Sequence, residues 1–288
     1  RSPMEIIQMF QEAVDHFVFH GDDGDGKVDE DMADHPHVAS INQNLAMLYR
    51  RHEDYQMAAQ KYEQALRIHM LWAPPSDLEV DGSEVIMDLL IDIADCWKAL
   101  GEFDKALERY EEALQIHQLI IRREKRSREN MDGEDDNHQQ EQVRNDDAII
   151  EFDGEQSKEE GTPLEAILRH NLGLMHAQIG QHEDAMAEYQ SALRIKKTFG
   201  ETHPEVAITL NGIGALLAAK GDGQAALAHF REALFIFREH SMVIGDNEDA
   251  DNDIAQTKKN MELVENHMAT GKTTMPGRNR RGKGLFSQ

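Results

Sequence analysis

The chain has 288 residues, 40% of them hydrophobic, one cysteine and a formal net charge of −25. That length suffices for one elongated or two compact folded units; a lone cysteine excludes an internal disulfide framework and fits a reducing, cytoplasmic setting; and no apolar run reaches membrane-spanning length. The acidity is local, because residues 21–34, 130–160 and 245–253 together carry −21, in Gly/Asp/Asn-rich stretches with the composition of solvated loops.

The start, RSPMEII, is no signal peptide and lacks an initiator Met, so a longer parent chain is expected. MEIIQMFQEAVDHF places apolar residues at helical spacing, which predicts a helix within residues 1–20. An acidic loop, 21–34, follows. Its GDDGDGKVDEDM opens like a calcium-binding EF-hand loop, with Asp23, Asp25 and Asp29 at ligand positions and Gly26 at the turn. Gly21 and Met32 stand where the two anchoring carboxylates belong. The stretch reads as a linker.

Four stretches then align without gaps, at 41–68, 89–116, 168–195 and 209–236. Each carries a small residue (Ala46, Ala94, Gly173, Gly214), a turn, a second small residue (Ala58, Ala106, Ala185, Ala226) and an aromatic (Tyr62, Tyr110, Tyr189, Phe230). A small-then-apolar pair closes each, beginning at Ala65, Ala113, Ala192 and Ala233. Small residues let two helix axes approach, and an aromatic fills the space beside them. Gly101, Gly180 and Gly221 sit where the chain reverses, and Glu53 holds that place in the first copy. Pro36, Pro163 and Pro204 stand at helix starts.

The expected helix pairs are 35–72, 83–129 (its second helix prolonged by IIRREKRSRE), 162–199 and 203–240. An acidic insertion, 130–161, is expected to be disordered. A second acidic loop, 241–252, a capping helix, 253–269, and a basic, disordered tail, 270–288, complete the chain. MFQEAVDHF matches HFREALFIF, which makes the first helix the second half of a preceding unit.

This pattern resembles the tetratricopeptide repeat. HPHVASINQNLAMLY and HPEVAITLNGIGALL are similar to the longer, kinesin-light-chain-type subclass of that repeat. The resemblance implies an all-α, right-handed superhelical solenoid of antiparallel helix pairs, whose first helices line a concave peptide-binding groove. The family's contact positions fall on Gln43, Asn44, Met47, Arg50 and Arg51 in the first unit, and on Asp88, Ile91, Asp92, Asp95 and Lys98 in the second. The third supplies His170, Asn171 and Leu174, and the fourth Asn211 and Ala215. Asn44, Asn171, Asn211 and Asn260 form a broken ladder of amides, which either pair with a peptide backbone or bond neighbouring helices. A partner acidic, then basic, then apolar would complement such a groove.

Chemistry of other kinds is weakly represented. TGKTT at 270–274 lacks the first glycine and the strand of a phosphate-binding loop. His35-Pro36-His37 reads as a helix start, and His69 and His117 share one repeat position. Cys96 lies beside Trp97 inside a helix, as a packed thiol does. No catalytic residue, metal ligand or cofactor site is expected. The leading expectation is a non-catalytic adaptor holding a partner protein's peptide or helix, with no membrane role; the basic tail is the one segment suited to nucleic acid. The alternative is a regulatory module working through its acidic loops, by weak calcium binding, or through that tail.

Overall fold

Pro36, Pro163 and Pro204 stand in the first turns of three helices, where a missing N–H leaves no hydrogen bond unmade. The residues before them cap the helices. His35 and His203 each accept through Nδ1 from the backbone N–H two residues on, both at 3.2 Å, and Thr162 Oγ1 accepts from Glu165 N–H at 3.1 Å. The computed structural model describes residues 5, 7–12, 34–72, 81–132, 161–244 and 248–270. Every regular element among them is an α-helix: α1 (Pro36–Arg51), α2 (Tyr55–Trp72), α3 (Asp81–Leu100), α4 (Phe103–Asp132), α5 (Pro163–Ile179), α6 (His182–Thr198), α7 (Pro204–Ala219), α8 (Gly223–Ile244) and α9 (Glu248–Thr270).

The helices pair as α1–α2, α3–α4, α5–α6 and α7–α8, and each pair packs on the next. First helices of successive pairs also meet, α5 with α7 and α7 with α9, which places them on the inside of the curve. This is the expected solenoid. All four hairpins close by one geometry. The backbone N–H of Asp54, Glu102, Gln181 and Asp222 donates to the carbonyl five residues back, at 2.9–3.0 Å, across a left-handed residue: Glu53 (φ 60°), Gly101 (78°), Gly180 (89°) or Gly221 (90°). Glu53 therefore adopts a conformation that disfavours an L side chain by about 1–2 kcal/mol.

The aromatic of each second helix is fully buried: Tyr62, Tyr110, Tyr189 and Phe230 are at most 1% exposed. A Cβ added to Gly173 would lie 2.8 Å from the Tyr189 ring, and one on Gly214 would lie 2.7 Å from the Phe230 ring. Tyr189 also meets the next unit, where a Cβ on Gly212 would lie 2.9 Å away. The ring is thus clamped between two first helices.

Both ends of the stack follow the repeat. Before α1, a helical segment at 7–12 buries Ile7 and packs Phe10 on the core, and Gln11 Nε2 donates to Tyr49 OH at 3.2 Å. After α8, α9 takes the place of a first helix, with exposed Glu262 where Gly173 and Gly214 admit an aromatic. Lys258, Lys259 and Glu265 are exposed too, the polar outer face that ends a solenoid.

Helix differs from expectation in two places. α4 continues to Asp132, and α8 and α9 take up most of the 241–252 assigned to a loop, leaving 245–247 between them. Asp251, in the opening turn of α9, places an acid near the positive end of the helix dipole. The calcium-like stretch at 21–32, the bulk of the insertion and the tail lie outside the described residues.

Gly173→Ala and Gly214→Ala gain helix propensity but drive a methyl into an immovable ring. Each is expected to lower unfolding free energy by about 1–3 kcal/mol, read by urea denaturation; an unchanged or raised midpoint contradicts the close contact.

Candidate functional site

The inner face of the first helices is built by α-helical spacing. On α1, Val38, Asn42, Leu45, Ala46 and Tyr49 are buried, while Asn44, Met47 and Arg51 are exposed and Gln43 and Arg50 half-buried. On α3, Asp88 is exposed, and Ile91, Asp92, Asp95 and Lys98 are half-buried. Asn171, Leu174 and Ala215 are half-buried, whereas His170 and Asn211 are buried.

The charged positions largely pair with one another. Arg50 of α1 forms an ion pair with Asp92 of α3, tying the first two units together. Asp95 accepts from the Tyr110 hydroxyl and from Lys98 Nζ, the latter at 2.7 Å. Burial raises the Asp92 carboxyl above its ordinary range, and Arg50 opposes that rise. The same surroundings push the Cys96 thiol up to about 11, mainly through burial, which keeps it protonated. Arg50, Asp92 and Asp95 thus have partners already, and the expected acidic-then-basic match loses much of its footing.

The amides separate as well. Asn211 Nδ2 donates to Thr257 Oγ1 at 2.7 Å, and that hydroxyl donates to the Asp253 carbonyl at 2.7 Å. One unit earlier, Thr209 Oγ1 lies 3.3 Å from His170 Nδ1 and donates to the Glu205 carbonyl at 3.1 Å. Position five of one unit is therefore pinned to a threonine on the next first helix, twice over. Asn260 is buried and accepts from Gln256 on its own helix at 3.0 Å. Asn211 and Asn260 are structural; Asn44 faces solvent.

A third recurring position lies late in the second helices, at His69, His117, Lys196 and Phe237. His117 Nε2 lies 2.6 Å from Thr162 Oγ1, joining α4 to the cap of α5. Lys196 Nζ, almost wholly buried, lies 2.8 Å from Glu205 Oε2, and its burial lowers its pKa. This pair borders a cavity of about 270 Å³ between the third and fourth units, with Pro163, Ala166, Ile167 and Phe199 around it. Ile167, 44% exposed, occupies a contact position of the third unit that the sequence reading passed over. Its spacing three residues before His170 was the available signal.

Among the described residues no group of three His, Cys, Asp or Glu is arranged to hold a metal ion, and no helix is long and apolar enough to cross a membrane.

Residues 43–71 and 156–239 match family models of the tetratricopeptide repeat. No curated protein matches by sequence. The crystal structure of BtubC (BKLC) from P. vanneervenii is similar, with TM-score 0.49 and 18% identity, over 100% of this chain and 99% of that one. The apo form of RapI gives TM-score 0.55 and 13% identity, over 93% of this chain and 59% of RapI. At such identities the likeness concerns the fold.

Asn211→Ala is expected to cost about 0.5–2 kcal/mol, since it removes a buried hydrogen bond to the next unit, while Asn44→Ala stays within about 0.5 kcal/mol; denaturant unfolding of both checks this. Burial holds His117 below its ordinary pKa, so the unfolded chain binds the proton first as pH falls. Stability at this site is present above the ordinary histidine value of about 6.5 and is lost below it. His117→Gln should accordingly lose less stability than the parent between about pH 7.5 and 5.5, as thermal unfolding would show.

Proposed function

We propose that this stack of helix pairs, two stretches of which match the tetratricopeptide repeat, is a non-catalytic adaptor that holds a peptide or helix of a partner protein against its inner face. What supports this reading is which first-helix side chains keep surface open to solvent, Ile91 and Leu174 doing so while also packing on the core. Asn44, Met47, Ile91, Ile167, Asn171 and Leu174 are exposed or half-buried at the repeat's contact positions, while the residues flanking them fill the core. Amides can bond an extended backbone, and the apolar side chains offer the anchors that peptide recognition uses. Arg50, Asp92, Asp95 and Lys98 shape the floor through their own ion pairs. Asn211 belongs to the stack and drops out of the contact set. The single buried cysteine suits a cytoplasmic setting.

Affinity capture from lysate, comparing the parent with an Asn44→Ala, Met47→Asp, Asn171→Ala variant of unchanged circular dichroism, tests the reading. Loss of specific partners in the variant is expected. Identical partner sets for both proteins would move binding off the inner face.

A further inference from the structure

The cavity between the third and fourth units has two kinds of wall. Pro163, Ile167 and Phe199 line it and stand exposed, Ile167 by 44% and Phe199 by 49%, so it opens to solvent through an apolar rim. Ala166 and Lys196 line it too, and both are buried. Three elements meet here: the first turns of α5, the end of α6 and the start of α7.

Lys196 is the unusual member. The same repeat position carries His69, His117 and Phe237, so the stack does not require a lysine there. Its ammonium lies 2.8 Å from Glu205 Oε2, its one partner among the described residues. An ammonium has three donors, and a buried donor without an acceptor costs free energy. Two donors therefore remain to be met. His203, also of the lining, already uses Nδ1 to cap α7.

The ion pair also sets the charge of an occupant. Lys196 and Glu205 cancel, so Glu205 would repel an anion and Lys196 a cation, and either would lose its hydration on entry. An uncharged group with a hydrogen-bond acceptor beside it meets the spare donors and keeps that balance. Size narrows the class further. The volume of about 270 Å³ falls below the roughly 300–1,000 Å³ of sites for whole small-molecule ligands, and suits one bulky side chain.

We propose that this cavity takes a bulky, uncharged apolar side chain from a segment of a partner protein, while a backbone carbonyl of that segment accepts from Lys196. Ile167 borders both the cavity and the inner face, but the site has its own walls and goes beyond the groove reading.

Protein labelled at Ala, Ile and Met methyls, titrated by NMR with the capped peptide Ac-Ala-Phe-Ala-NH2 and with its Ala, Glu and Lys counterparts at the middle position, tests this. The Phe peptide is expected to bind about tenfold tighter than the Ala peptide, with NOEs from its ring to the Ala166 and Ile167 methyls. The Glu and Lys peptides should bind no tighter than the Ala peptide. Phe199→Asp should abolish the preference for Phe, and Lys196→Met should weaken the Phe peptide about three- to tenfold. Equal affinity for the Phe and Ala peptides would overturn the proposal, as would unchanged binding by folded Lys196→Met. If Lys196→Met fails to fold, the parent's NOEs decide. NOEs to Met47 in place of Ala166 and Ile167 would overturn the cavity site and leave the groove reading standing. NOEs to Ala166 and Ile167, together with an unchanged partner set for the Asn44→Ala, Met47→Asp, Asn171→Ala variant, would uphold the cavity and remove the groove reading.

Discussion

Everything in this stack depends on how closely two helices of a hairpin can approach, and one aromatic ring per unit sets that distance. Tyr189 shows the constraint most fully, since glycines of two successive first helices, Gly173 and Gly212, press on the same ring. A contact within the hairpin is therefore also a contact between hairpins. In the first two units the small residue is Ala46 or Ala94, so those hairpins accommodate a methyl. The later two, with Gly173 and Gly214, close up where it is missing. Left-handed turns at Glu53, Gly101, Gly180 and Gly221 then return each chain at the same angle.

Such packing divides the first helices into two faces. The buried face carries the core and two polar pins, His170 to Thr209 and Asn211 to Thr257, both in the second half of the stack. The first half is joined by charge, through Arg50 and Asp92. Polar pins and the pairing of buried Lys196 with the more exposed Glu205 specify register more than they add stability, because desolvation offsets much of their attraction. The other face is left with amides and partly exposed apolar side chains. It is the inner surface of the curve, where a segment of a partner would touch several units at once.

The repeat itself was legible because its signal is made of small and aromatic residues at fixed spacing, and spacing survives without coordinates. Helix starts at Pro36, Pro163 and Pro204 and the four turns were equally plain. What spacing could not give was pairing between units. Arg50 and Asp92 lie 42 positions apart, and Asn211 and Thr257 lie 46 apart, so only the superhelix shows that they meet. For the same reason the broken Asn ladder did not tell which of its members face solvent, as Asn44 does, and which make buried bonds, as Asn211 does. At the end of the chain, the acids of EDADND read as loop composition, yet an acid near a helix start, as Asp251 is, is favourable, and helix prevailed.

Site-specific photo-crosslinking tests most directly whether the inner face is the working surface. A benzophenone amino acid placed at Met47 or Ile167, on first helices, would be compared in lysate with one at Leu119 or Phe235, exposed residues of second helices. Discrete crosslinked partners from the first pair of positions and none from the second are the predicted result. Partners captured at Leu119 or Phe235 alone would contradict the account and place function on the outer face.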